Sequence, residues 1–208
     1  MVYTWIADIS HLREEETYRK YYEEAPDFRR EKADLLRFPQ DRAQSVGVWA
    51  LLERMRKQCG AGPDQVFNLS HSGDYVLCSI STERGAKVGC DIETVKEARL
   101  RVARRFFLPS ETAWIEGQPS ERERKEAFYR LWVLKESFMK AVRRGMGLDT
   151  RSFEIGFDGE DRPFLIRKPW QYPEQFYYRE YQVPEINARI AVCSTDRAFG
   201  EIHHETLE

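Results

Sequence analysis

No apolar run in these 208 residues approaches the roughly 18–20 positions that crossing a bilayer needs, so no membrane span is expected. The opening Met-Val-Tyr-Thr-Trp-Ile-Ala-Asp-Ile is short and lacks the basic lead of a secretory signal; it reads as a first strand. Cysteine is scarce. Cys59, Cys78, Cys90 and Cys193 form no C-x-x-C pair and keep no ligand-like spacing to histidine, which argues against a zinc site. Three of them lie in apolar, strand-like contexts, where free thiols behave as small buried hydrophobes, and the expectation is a reduced, cytoplasmic protein. An excess of one charge is missing as well. The 33 Lys and Arg against 35 Asp and Glu leave a formal net charge of −2, so neither nucleic acid nor a membrane surface is an expected partner. What remains, 41% hydrophobic and 33% charged residues, is ordinary for a globular chain long enough to bury a core.

Strands are expected over 2–9, 66–69, 75–81 and 87–93, and again through the region after 153. Helices are expected over 13–24, over 43–57 with Asp41 as N-cap, over 96–107, and over 128–142. Gly60-Ala-Gly-Pro breaks the second of these helices. A Trp-bearing helix followed by strands occurs twice, around Trp49 and Trp132, and Tyr75-Val-Leu-Cys-Ser echoes Ile190-Ala-Val-Cys-Ser. The echo is short but suits an α+β fold of two similar halves, residues 1–95 and 96–208, related by a pseudo-twofold with a ligand cleft between them.

The densest stretch is 128–142, Phe-Tyr-Arg-Leu-Trp-Val-Leu-Lys-Glu-Ser-Phe-Met-Lys-Ala-Val, without Gly or Pro. Successive residues about 100° apart put Phe128, Leu131, Trp132, Phe138, Met139 and Val142 on one apolar arc with Lys135 at its centre. Glu136 and Lys140 fall just past the edge, one turn apart. Taken alone, this helix reads most simply as a core helix whose lysine snorkels out, with Glu136 and Lys140 an ordinary i,i+4 pair.

A second acidic stretch changes that weighing. In Val88-Gly-Cys-Asp-Ile-Glu, strand alternation sends Val88, Cys90 and Ile92 to one face and Gly89, Asp91 and Glu93 to the other. Two carboxylates about 6–7 Å apart would repel by roughly 2.5 kcal/mol at an effective dielectric of 20, which solvent or a cation must relieve. A bare D-x-E is usually a solvated strand end. With Glu136 added, three carboxylates and adjacent lysines suit Mg²⁺, which takes oxygen ligands and shares them with phosphate. Gly89 on the acidic face leaves room for something to come close. Asn68-Leu-Ser-His-Ser-Gly-Asp reads as a strand running into a turn whose Ser70, His71 and Ser72 could hydrogen-bond a phosphate, although a lone histidine is more often structural.

In order, Phe-Asn-Leu-Ser-His-Ser-Gly (67–73), Val-Gly-Cys-Asp-Ile-Glu (88–93) and Leu-Trp-Val-Leu-Lys-Glu-Ser-Phe-Met-Lys-Ala with Gly-Met-Gly-Leu (131–148) closely resemble the signature blocks of the 4'-phosphopantetheinyl transferases. The length resembles the double-length, surfactin-synthetase-activating type. The resemblance implies transfer of the 4'-phosphopantetheine arm of coenzyme A to a serine of an acyl or peptidyl carrier protein, releasing adenosine 3',5'-bisphosphate. It implies Mg²⁺ on Asp91, Glu93 and Glu136, with Glu136 the base, directly or through water. Lys140 would contact the pyrophosphate, Lys135 would support phosphate or carboxylate, and Arg29, Lys32, Ser45, Ser70 and His71 would hold the rest of coenzyme A, His71 with the first three at the 3'-phosphate and ribose. A double-length chain can build such a cleft alone, so a monomer is expected.

Two departures from the family pattern remove positive charge and imply a weaker or shifted grip on coenzyme A. No Gly-Lys-Pro precedes the Asn-x-Ser-His block, where Cys59-Gly-Ala-Gly-Pro-Asp-Gln stands instead, and Gln44 occupies a position where arginine is common. Those losses motivate the alternative of a non-catalytic coenzyme A-binding or scaffold protein. An unrelated phosphohydrolase would need a base besides Glu136, and none is evident. Arg99, Arg101, Arg104 and Arg105, or Arg122 and Arg124, could receive an acidic carrier; solvated helix faces interleaved with glutamates explain them equally well.

Overall fold

A computed structural model describes residues 1–96 and 100–207, with the backbone alone for Leu100 and Arg101. The chain is mixed α+β. Its strands are β1 (Val2–Asp8), β2 (Phe67–Ser72), β3 (Tyr75–Ser81), β4 (Val88–Thr94), β5 (Glu154–Phe157), β6 (Pro163–Arg167), β7 (Tyr177–Tyr181), β8 (Ala188–Ser194) and β9 (Phe199–Glu205). The helices are α1 (Glu15–Glu24), α2 (Asp27–Asp34), α3 (Pro39–Cys59), α4 (Leu100–Phe106), α5 (Pro109–Glu116) and α6 (Glu121–Ala141).

One sheet has the order β2-β3-β1-β9 and a second the order β4-β8-β7, while β5 and β6 form a separate hairpin. Alternating apolar residues of the two sheets meet in a shared core: Val2, Ile6 and Leu77 from the first, Val88, Cys90 and Ile92 from the second. A helix covers each outer face. Val46, Leu51, Leu52 and Met55 of α3 pack with Val76, Cys78 and Ile80 of β3. Leu131, Leu134 and Phe138 of α6 pack in a cluster that includes Ala191 and Cys193 of β8.

Local sequence sets the helix ends. Pro39 occupies the first turn of α3 after Phe38, a position whose N–H would have no helical partner in any case. Asp41, expected as the cap, therefore lies inside the first turn, where its carboxylate still meets the positive end of the helix. Gly60, at φ +62°, closes the helix in the left-handed region. The oxygen of Ser120 accepts the Glu123 N–H at 3.1 Å, so α6 starts at Glu121, before the stretch 128–142. Its burial is wider than the expected arc and takes in Val133, Ser137 and Ala141. Strands β4 and β8 cover one side, and α5 and β5 lie against another.

The division at residue 95 does not follow the sheets. Strand β4 pairs antiparallel with β8, and β9 returns to pair parallel with β1. Each stretch of chain thus lends a strand to the other sheet. The expected helix start at 96 falls partly outside the described residues, and α4 is described from Leu100. Cys78, Cys90 and Cys193 are buried free thiols, as their strand contexts imply. Among the described residues no helix is long and apolar enough to cross a membrane.

Candidate active site

The site is built where α6 lies on β4. Gly89 makes that approach possible. A Cβ there would stand 2.1 Å from the Ser137 carbonyl oxygen and 2.3 Å from the Ala141 nitrogen. What Gly89 admits is thus the helix backbone itself and not a ligand. Gly89→Ala should push α6 off the sheet, lowering stability by about 1–3 kcal/mol in a urea titration. Glu136 and Lys140 ride on the displaced helix and should shift with it. A Gly89→Ala protein as stable as wild type would overturn this account of the contact.

Asp91 follows Gly89 on the same face and is buried. Its Oδ1 accepts from Lys140 Nζ at 2.6 Å and from Ser70 Oγ at 2.9 Å, and Lys140 also donates to Ser70 Oγ at 2.9 Å. Its Oδ2 is buried without a hydrogen-bond partner among the described residues. Burial holds the Asp91 carboxyl above the usual carboxylate range, with Lys140 and Ser70 pulling the other way. Glu93 is half-buried and its Oε2 accepts from Ser72 Oγ at 3.0 Å. Glu136 is half-buried on α6. Loss of solvent and then the charge of Asp91 raise the carboxyls of both Glu93 and Glu136, and Glu93 adds to the rise at Glu136. The three acids therefore feel one another, and Asp91 in turn holds the Lys140 ammonium above its ordinary range against the opposing effect of burial.

Among the described residues no three acidic, histidine or cysteine side chains stand close enough together to enclose a metal ion as they are. The donor chemistry suits Mg²⁺ nonetheless: hard carboxylate oxygens only, one of them a buried Oδ2 with no partner.

A cationic patch adjoins this cluster. His71 is solvent-accessible, and desolvation by its protein surroundings, followed by the charges of Lys140, Lys32 and Arg29, lowers its pKa. The guanidinium of Arg29 lies 4.8 Å from the Trp49 ring centroid, while its Nε is buried without an acceptor among the described residues. Burial lowers the Arg29 pKa. Ser45, one helical turn before Trp49, likewise has a buried hydroxyl without a partner among the described residues. Lys32 is exposed.

Two expected roles need correction. Lys135 does not reach the acids. It is 1% exposed, and its ammonium is held by Glu111 Oε1 at 2.9 Å and by the carbonyls of Thr150 and Phe153 at 2.8 and 3.0 Å. The helical turn points it into the C-terminal core, toward α5 and the segment before β5. Ser70 is not grouped with His71 on one phosphate-binding turn. Strand β2 continues through Ser72, so Ser70 and His71 fall on opposite faces, and the Ser70 hydroxyl goes to Asp91 and Lys140.

Sequence reasoning missed several partners. The amides of Gln40 and Gln44 both donate to the Gly73 carbonyl, at 2.9 and 2.8 Å, tying the β2–β3 turn to α3. Gln44 is thus a clamp on that turn. Glu111, the partner of Lys135, carried no signal beyond its place three residues after Leu108, whose N–H it accepts at 2.9 Å. Of the basic surface residues, Arg104 pairs with Glu116 at 2.9 Å and Arg122 with Glu126 at 3.0 Å, the interleaved pattern of a solvated face. Arg99 and the side chain of Arg101 lie outside the described residues.

Fold and site define a class: an α+β protein with carboxylates and a lysine gathered beside a cationic patch, the groups that phosphoryl transfer draws on. Residues 87–193 match the 4'-phosphopantetheinyl transferase superfamily. The chain is 33% identical over 139 residues to the 4'-phosphopantetheinyl transferase Sfp of Bacillus subtilis (strain 168), covering 67% of this chain and 59% of that one. It is 39% identical over 145 residues to the transferase psf-1 of Bacillus pumilus, covering 70% and 59%. A further Bacillus subtilis 4'-phosphopantetheinyl transferase is 32% identical over 147 residues, covering 70% and 62%. The chain therefore belongs to the 4'-phosphopantetheinyl transferase superfamily, and it spans about three fifths of the length of these relatives. A solved holo-[acyl-carrier-protein] synthase from Neisseria meningitidis is 18% identical with a TM-score of 0.44, covering 52% of this chain and 95% of that one.

Proposed function

We propose that the chain transfers the 4'-phosphopantetheine arm of coenzyme A to a serine hydroxyl of a carrier protein, as a soluble, cytoplasmic single chain. The observation that carries this reading is the buried, unpartnered Oδ2 of Asp91, set beside Lys140 and within electrostatic reach of Glu93 and Glu136. Family membership supports it. The named relatives are 4'-phosphopantetheinyl transferases.

In this reading Asp91, Glu93 and Glu136 would hold Mg²⁺, which supplies charge neutralisation at the pyrophosphate. Glu136 would take the proton of the incoming serine, directly or through water. The serine oxygen bonds to the phosphorus that bears pantetheine. The bridging P–O bond breaks, and its electron pair leaves with adenosine 3',5'-bisphosphate. Lys140 exchanges part of its hold on Asp91 for the phosphate oxygens as charge gathers there. Arg29, Lys32, Ser45 and His71 would bind the 3'-phosphate end, where a buried guanidinium Nε and a buried hydroxyl lack partners among the described residues. Two α+β halves related by a pseudo-twofold, each lending a strand to the other, would form the cleft.

Incubating an apo carrier protein with coenzyme A, Mg²⁺ and this chain, then weighing the carrier by mass spectrometry, tests the proposal. Phosphopantetheine added to the carrier is the expected result. An unmodified carrier with coenzyme A bound to the chain would mark a non-catalytic binding protein. Cleaved coenzyme A without adduct would mark a hydrolase.

A further inference from the structure

Strand β4 is an edge strand: its other side pairs with β8, and alternate N–H groups at 90, 92 and 94 face away from that partner. Such groups normally need another strand, water or a covering segment. Here the side chains of β2, itself the edge of the other sheet, take them in turn. Asn68 Oδ1 accepts the Cys90 N–H at 2.9 Å, Ser70 Oγ that of Ile92 at 3.3 Å, and Ser72 Oγ that of Thr94 at 3.0 Å. The offset is 22 residues at every rung. The match is geometric: side chains on one face of a strand and N–H groups along one edge both recur every second residue, so two parallel strands stay in step.

The serine rungs have a second half. Ser70 Oγ donates to Asp91 Oδ1 and Ser72 Oγ donates to Glu93 Oε2, each to the acid just before the amide it accepts from. A hydroxyl whose lone pair is fixed by a backbone N–H has its proton aimed. The Asn68 rung touches no acid: its Oδ1 accepts from the N–H of Cys90 and, at 3.6 Å, from the Cys90 thiol.

We propose that Ser72 is a positioning residue of the acidic site: its hydroxyl, oriented by the Thr94 N–H, holds the Glu93 carboxylate toward Asp91. This rests on the transferase reading above, in which Glu93 would be a metal ligand. Asn68 is the matching purely structural rung. Hydrogen bonds of this kind, made to a metal-binding carboxylate, affect affinity by about 10–100-fold when lost.

The test compares Ser72→Ala, Ser72→Thr and Asn68→Ala in the full chain. Amide hydrogen exchange should rise selectively at Thr94 in Ser72→Ala and at Cys90 in Asn68→Ala. Titration of Mn²⁺ into each coenzyme A-bound protein, read by the loss of the free Mn²⁺ electron paramagnetic resonance signal, should show binding weakened about tenfold or more in Ser72→Ala. Asn68→Ala should stay near wild type, and Ser72→Thr, which keeps the hydroxyl, should recover most of the affinity. Unchanged Mn²⁺ affinity in Ser72→Ala, or equal weakening in Asn68→Ala, would overturn the proposal. Failure of the transferase reading shows separately, as a wild-type chain that leaves the carrier unmodified.

Discussion

Glu136→Gln is expected to bind coenzyme A within a few-fold of wild type yet transfer roughly 10²–10⁴-fold more slowly, the range by which a positioned base speeds proton removal. The substitution keeps size and one coordinating oxygen while removing basicity. Burial and the charges of Asp91 and Glu93 raise the native carboxyl in the absence of a bound metal. Single-turnover transfer to an apo carrier, alongside a coenzyme A titration, separates the two effects. A loss below about tenfold would remove Glu136 from the role of base.

Lys135→Met is expected to act on stability instead. Lys135 and Glu111 are each 2% exposed at the side chain, and removing one member of such a pair leaves the other charge buried. The cost is about 3–5 kcal/mol, which for a chain of this size lowers Tm by roughly 6–20 °C. Glu111→Gln in the same background should recover part of the loss, since the amide oxygen can still accept one of the N–H groups of Ile155 and Leu108. Transfer per folded molecule, measured well below Tm, should change little. A Lys135→Met protein as stable as wild type but unable to use coenzyme A would put the lysine back among the phosphates.

These two residues stand side by side in sequence, and the sequence alone did not separate them. Helical spacing places Lys135 within an apolar arc and Glu136 beyond its edge, but it suggests a snorkelling lysine where the structure buries one on a carboxylate. The partner, Glu111, comes from a different helix, and only packing of α5 on α6 brings it there. The same limit applied to Ser70 and His71. As adjacent polar residues they read as one turn, whereas continuation of β2 through Ser72 put them on opposite faces.

By itself the sequence determined what short-range periodicity can encode. It set the α+β class, the core of buried free thiols, and the alternation that sends Val88, Cys90 and Ile92 inward and leaves Gly89, Asp91 and Glu93 for the other face. It also placed Glu136 and Lys140 one turn apart. Tertiary structure decided which groups meet: α6 against Gly89, Lys140 on Asp91, the β2 side chains on the edge of β4, and the exchange of β4 and β9 between sheets. The reason is physical. Alternation and helical turn fix the direction of a side chain relative to its own backbone, but a contact between segments depends on how whole sheets and helices pack, which no local spacing specifies.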